Sequence, residues 1–88
     1  MSWAFEFTQD AKRDLSGLPK PIQRRIARVL DLMAHDPFQG DAKPLHGNEW
    51  KGVFRRRLGD YRLLFTCEPK QSVVRVLRIL VRSGATYR

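Results

Sequence analysis

Val53-Phe54-Arg55-Arg56-Arg57-Leu58-Gly59-Asp60-Tyr61-Arg62-Leu63-Leu64-Phe65-Thr66-Cys67 reads as two β-strands folded back on each other. Aromatic and aliphatic residues recur from Val53 to Leu58 and from Tyr61 to Cys67, and Leu58-Gly59-Asp60 is suited to a tight connection between them. A third segment, the Val/Leu/Ile-rich run from Val73 to Val81, follows after Glu68-Pro69-Lys70-Gln71-Ser72, a second short connection. The three segments predict an antiparallel meander.

Upstream of this meander the periodicity changes. Trp3, Phe5 and Phe7 alternate with Ala4, Glu6 and Thr8, which predicts a first strand with one aromatic face turned to a core. Thr8 then caps a short helix through Asp10, Ala11, Asp14 and Leu15, whose acids lie near its positive end and which Gly17 and Pro19 stop. Ile22, Ile26, Val29, Leu30 and Met33 recur at helical spacing, with Arg24, Arg25 and Arg28 largely on the other side. This second helix is expected to end near Asp36-Pro37, because a residue before proline is pushed out of the α region. A polar loop through Gly40, Pro44, Gly47 and Asn48 leads into the meander. The order is β-α-α-β-β-β, an α+β fold of two N-terminal helices packed on a mostly antiparallel four-stranded sheet. No repeat, linker or low-complexity segment divides it, so residues 1–88 are expected to form a single domain.

Seventeen Lys and Arg oppose nine Asp and Glu, a formal charge of +8 on 88 residues. Such a field attracts phosphate polymers or an acidic protein. Hydrophobic residues at 42% and charged ones at 30% belong to a folded chain and not to a disordered tail. No apolar run approaches the roughly 20 residues needed to cross a bilayer, and Met-Ser-Trp-Ala-Phe-Glu lacks the order of a secretory signal, so no membrane partner and a cytoplasmic location are expected. Cys67 is the single cysteine; its apolar neighbours and the lack of an adjacent histidine point to a small core side chain. His35 and His46, without companion cysteines or paired acids, read as helix-end or loop residues and not as metal ligands.

Chemistry is concentrated in the arginines. Arg55 and Arg57 are two apart on one strand, so both project from one face of the sheet, joined by Arg62 and Arg82 where registers permit. Several permanent cations on one face repel each other, which suits a bound anion, although a solvated basic face has the same spacing. Arg56 falls on the face of Phe54 and Leu58, where an apolar residue is usual, and is expected to snorkel at the sheet edge or meet an acidic partner. Tyr87, five residues after Arg82, is either a packing side chain or, among clustered cations, a proton acceptor whose pKa is drawn down from about 10. Trp3, Trp50 and Phe54 read as core or loop anchors in preference to base-stacking platforms.

The stretch from Trp50 to Phe65, with Arg82 and Tyr87, resembles the core signature of the RelE/ParE toxin superfamily, and Gly59-Asp60-Tyr61-Arg62 is its most specific part. Leu18-Pro19 opening the long helix and the terminal Tyr87-Arg88 extend the likeness over nearly the whole chain. The resemblance implies the toxin of a type II toxin–antitoxin pair, and in its RelE branch a ribosome-dependent endoribonuclease that cleaves mRNA in the A site. It also implies a cognate antitoxin, the ribosome and mRNA as partners, a toxin–antitoxin hetero-oligomer, and no metal or other cofactor. By the same resemblance Arg55 and Arg57 lie around the scissile phosphate, Arg62 stabilises transition-state charge, Arg82 is the acid and Tyr87 the base. Leu80-Val81 stands before Arg82 where many relatives have Gly-His, so the acid there is not an imidazole. The ParE branch, which poisons DNA gyrase by binding, shares the fold and is the alternative; a member that only binds its antitoxin is a third.

Overall fold

The computed structural model describes residues 2–81. Its elements are β1 (Ala4–Phe7), α1 (Gln9–Ser16), α2 (Lys20–Met33), β2 (Ala42–Pro44), a 3-10 turn (Asn48–Trp50), β3 (Phe54–Leu58), β4 (Tyr61–Glu68) and β5 (Val73–Val81). The strands form one five-stranded sheet in the order β1-β5-β4-β3-β2, antiparallel throughout except for the parallel pair β1 and β5.

The α+β class and the two helices on the sheet agree with expectation, and the strand count is corrected from four to five. The additional strand is β2, inside what reads as a polar loop. Its Lys43 and Pro44 are exposed, and a three-residue edge strand carrying a charge and a residue with no N–H donor has little β signature of its own. Tertiary pairing with β3 creates it, setting Ala42 opposite Arg56 and Lys43 opposite Arg55. The second helix also stops earlier than Asp36-Pro37, at Met33, and the Asp36 carboxylate instead accepts the N–H of Phe38 at 3.0 Å in a local turn.

Both helices lie on one face of the sheet. Ala11, Ile26 and Met33 from the helices and Leu58, Leu63, Phe65, Val74, Val76 and Ile79 from the strands form the core, flanked by the half-buried Trp3, Phe5 and Phe7. Val74, Val76 and Ile79 cannot share a face of a regular strand, because their spacing is two and then three. A β-bulge resolves this: Leu64 pairs with Arg78 and Phe65 with Val76, leaving Leu77 as the extra residue. The bulge thus puts Ile79 into the core and Leu80 on the opposite face, directly across from Arg62.

β1 covers β5 only as far as Val76, and α1 completes the edge beyond it. Thr8 is the N-cap, as its position suggests: its hydroxyl accepts the Ala11 N–H at 3.1 Å and donates to the Leu77 carbonyl at 2.7 Å. Asp14 accepts the Ile79 N–H at 2.9 Å and the Arg78 guanidinium at 2.8 Å. Two side chains of a short helix therefore satisfy backbone groups that a further strand would otherwise pair. The tight β3–β4 turn places Gly59 at φ +59°, the left-handed first position that a type II′ hairpin needs, with the Arg25 guanidinium of α2 lying against it.

Candidate functional site

Arg55, Arg57 and Arg62 share the sheet face that looks away from the helices. Antiparallel pairing sets Arg57 directly opposite Arg62, and Arg55 opposite Leu64. Two guanidinium groups in directly opposed positions repel, so the arrangement works against sheet stability. Leu64, the apolar member of this face, is buried to 6% exposure, and its cross-strand partners Arg55 and Arg78 are placed to cover it with their alkyl stems. Arg55 itself keeps only 13% of its side chain exposed. Arg55 is therefore laid along the strand surface with restricted freedom, which lowers the entropic cost of using it to hold an anion.

The remaining cations of the face differ in how they are balanced. On β5, Arg75 contacts Glu6 at 3.1 Å and Glu68 at 3.5 Å, and Arg78 is held by Asp14. Burial pushes the Asp14 carboxyl up, but the Arg78 hydrogen bond, the Ile79 N–H and the Arg78 charge outweigh it and leave the group below its ordinary value. Arg55 and Arg57 share one carboxylate: Asp41 lies 3.4 Å from Arg55 Nη1 and 3.8 Å from Arg57 Nε. The Asp41 carbonyl also accepts the Arg57 N–H at 3.0 Å.

Two members of this neighbourhood escaped the reading of the sequence. Lys43, opposite Arg55, joins the basic face, and Asp41 supplies its counter-charge. Both belong to the segment read as a loop, where no face can be assigned before the strand is known. Arg56 behaves as an exception to its strand. It lies on the core side, where its guanidinium donates to the Arg57 carbonyl and, at 3.4 Å, to Gln39 Oε1, and packs against Gly40. The acidic partner considered for it is thus replaced by a carbonyl and an amide. The sites expected at Arg82 and Tyr87 lie outside the described residues.

Cys67 is half-buried against the core, less enclosed than expected, and burial pushes its thiol up, away from the reactive thiolate. His35 and His46 are exposed. Trp50, in the 3-10 turn, is 40% exposed. Among the described residues no helix is long and apolar enough to cross a membrane. What the face offers chemically is a set of fixed, permanently charged planar donors, suited to gripping a phosphodiester and to neutralising charge that builds on it.

Residues 5–85 match the family model described as ParE toxin of the type II toxin–antitoxin system parDE. Toxin RelG of Mycobacterium tuberculosis is 34% identical over 83 residues, 90% of each chain. Among solved structures, a chain of the toxin–antitoxin complex RelBE2 from M. tuberculosis superposes with a TM-score of 0.83 at 30% identity, covering 93% of this chain and all of that one. A chain of the archaeal RelE–RelB complex from Pyrococcus horikoshii gives 0.80 at 27% identity, covering 97% of this chain and all of that one. The sheet with two helices on one face is accordingly that of a type II toxin, and the chain belongs to the RelE/ParE toxin family.

Proposed function

We propose that the protein is a ribosome-dependent endoribonuclease that cleaves mRNA in the A site, with residues 1–88 acting as one catalytic domain. The observation that carries this reading is the row of Arg55, Arg57 and Arg62 on one rigid sheet face, with Arg57 directly opposite Arg62. Concentrating mutually repelling cations on one face suits a phosphoryl-transfer catalyst, which must hold a phosphate and neutralise the charge that develops on it.

RNA carries its own nucleophile. The 2′-OH attacks the adjacent phosphorus, the P–O5′ bond breaks, and the products are a 2′,3′-cyclic phosphate and a 5′-OH. In the proposed mechanism Arg55 and Arg57 hold the scissile phosphate and Arg62 neutralises the charge that develops on its non-bridging oxygens. By resemblance, Tyr87 removes the 2′-OH proton and Arg82 assists the leaving 5′ oxygen. Arginine is a poor proton donor, since its guanidinium stays protonated far above neutral pH, so charge stabilisation is its larger contribution. Weak acid–base groups leave much of the acceleration to substrate positioning, which is the reason to rely on the ribosome to hold the message. No cofactor enters the proposed chemistry, and action on ribosomes places it in the cytoplasm.

The solved relatives RelBE2 and RelE–RelB are complexes with antitoxins, which supports a cognate antitoxin and a hetero-oligomer for this chain. An acidic or amphipathic antitoxin segment fits the charge of the basic face, and the exposed Leu32 at 49% and Phe38 at 44% offer apolar anchors near the helices.

The ParE-type description of the matching family model favours a second reading, inhibition of DNA gyrase by binding. One experiment separates them. After brief expression, 5′ ends of cellular messages are mapped for wild type and for Arg62→Ala. Site-specific cuts within translated frames, reduced about 100-fold or more by the substitution, are expected. Intact messages together with an induced DNA-damage response would establish the gyrase reading instead.

A further inference from the structure

We infer that Asp41 is a built-in counter-ion of the Arg55–Arg57 pair, occupying it in the free toxin and giving way when an RNA phosphodiester binds. This rests on the nuclease reading above and adds to it a residue that sets the affinity of the same site.

Asp41 is delivered to the arginines by a segment anchored at several points. Asp36 fixes the start of that segment through the Phe38 N–H, and the Gln39 N–H donates to the Asp36 carbonyl at 3.0 Å. The Phe38 ring packs edge-on against Phe54, with centroids 4.8 Å apart, and lies 6.1 Å from Phe65. Arg56 grips Gln39 from the core side of the sheet, and Gly40, at φ +81°, lets the chain pass over its guanidinium. Asp41 emerges with its carbonyl bonded to the Arg57 N–H, and its carboxylate between two guanidinium groups.

The geometry is that of a mimic held loosely. A carboxylate and a phosphodiester both present two anionic acceptor oxygens to guanidinium donors, so they compete for the same directions. The contacts to Arg55 and Arg57, at 3.4 and 3.8 Å, are longer than the 2.7–2.9 Å typical of strong charge-assisted bonds, and the Asp41 side chain is 43% exposed. The Arg57 contact, exposed at both ends, contributes little and is readily exchanged, and the contact to the more enclosed Arg55 is at the long end of hydrogen-bonding distance. Asp41 therefore limits mutual repulsion between the arginines in the free protein and lowers their affinity for phosphate by an amount the substrate can overcome.

The test is binding of a fluorescent, fully 2′-O-methylated RNA decamer, which cannot be cleaved, to the full chain. Asp41→Asn keeps the backbone acceptor and the side-chain shape while removing the charge. It is expected to bind about fivefold more tightly near 0.1 M salt, with a salt dependence steeper than that of wild type by up to about 0.7 in the logarithmic slope. Asp31→Asn, an equal change of net charge on α2 across the sheet, is the control and should change binding by less than about twofold. Arg55→Ala combined with Arg57→Ala should abolish the advantage conferred by Asp41→Asn. Equal affinity of wild type and Asp41→Asn, with binding still dependent on the two arginines, overturns the inference and leaves the nuclease reading standing. Equal gains from Asp41→Asn and Asp31→Asn overturn it as well, since the effect would then be one of net charge. Binding unaffected by loss of both arginines would remove the phosphate site itself, and both proposals with it.

Discussion

Gly40 and Arg56 show how one residue pair can hold a loop segment in place. Gly40 adopts φ +81°, and a Cβ there would stand within 2.5–2.9 Å of the Arg56 guanidinium. Gly40→Ala thus meets two separate penalties, a left-handed backbone and a steric clash, and is expected to cost about 2–3 kcal/mol. In an Arg56→Ala background only the backbone penalty remains, so the same substitution should cost about 1–2 kcal/mol. Urea denaturation of the four proteins in this cycle measures the coupling, and additive costs would show that Arg56 does not occupy the space above Gly40. The position of Arg56 was legible as an anomaly, a cation on an apolar face. Its partners were not, because Gln39 and Gly40 lie in a segment with no periodicity from which to infer direction.

Among the elements, α1 departs furthest from the simple role of an amphipathic helix covering a sheet. Thr8 and Asp14 satisfy the Leu77 carbonyl and the Ile79 N–H on the stretch of β5 that β1 does not reach. Asp14→Ala leaves that N–H without its acceptor and frees Arg78, a loss of roughly 2 kcal/mol. The pH dependence follows from the lowered carboxyl of Asp14. A group whose folded value lies below its unfolded value stabilises the protein at pH above the unfolded value, here 3.8, and loses that contribution as pH falls through the folded value. The stability gap between wild type and Asp14→Ala should thus be constant near neutrality and narrow below about pH 4, as followed by thermal melts across that range. Thr8 and the caps were readable because capping depends on residues three apart. The bond from Asp14 to a residue 65 positions away was not. The bulge at Leu77 did leave a trace: Arg75 and Arg78, three apart in an otherwise apolar run, cannot both face outward from a regular strand.

For the whole molecule the governing quantity is charge. A formal +8 on 88 residues, with Arg57 opposite Arg62 and Lys43 opposite Arg55, makes self-repulsion a standing cost of the native state. Raising sodium chloride from about 20 mM to about 500 mM shortens the screening length well below the span of the domain and should stabilise it. A gain on the order of 1 kcal/mol corresponds to a rise of about 4–8 °C in Tm for a domain of this size. Arg57→Gln should retain wild-type stability at low salt to within about 0.5 kcal/mol, because relief of repulsion offsets loss of the long contact to Asp41. Calorimetry at the two salt concentrations checks both expectations. A stabilised but inactive variant would mark the arginine row as a feature kept for function at the expense of the fold.

The sequence by itself determined the fold class, the two helices with their start signals, the meander, and the side of β3 on which Arg55 and Arg57 fall. These follow from local rules: period two for strands, period 3.6 for helices, caps and turns within a few residues. Tertiary structure alone decided the register that opposes Arg57 to Arg62, the edge strand β2, and the placing of Asp41 between two guanidinium groups. Each of these depends on which backbone groups meet across the sheet, and that is settled by the simultaneous packing of residues far apart in the chain, for which no short window of sequence carries the information.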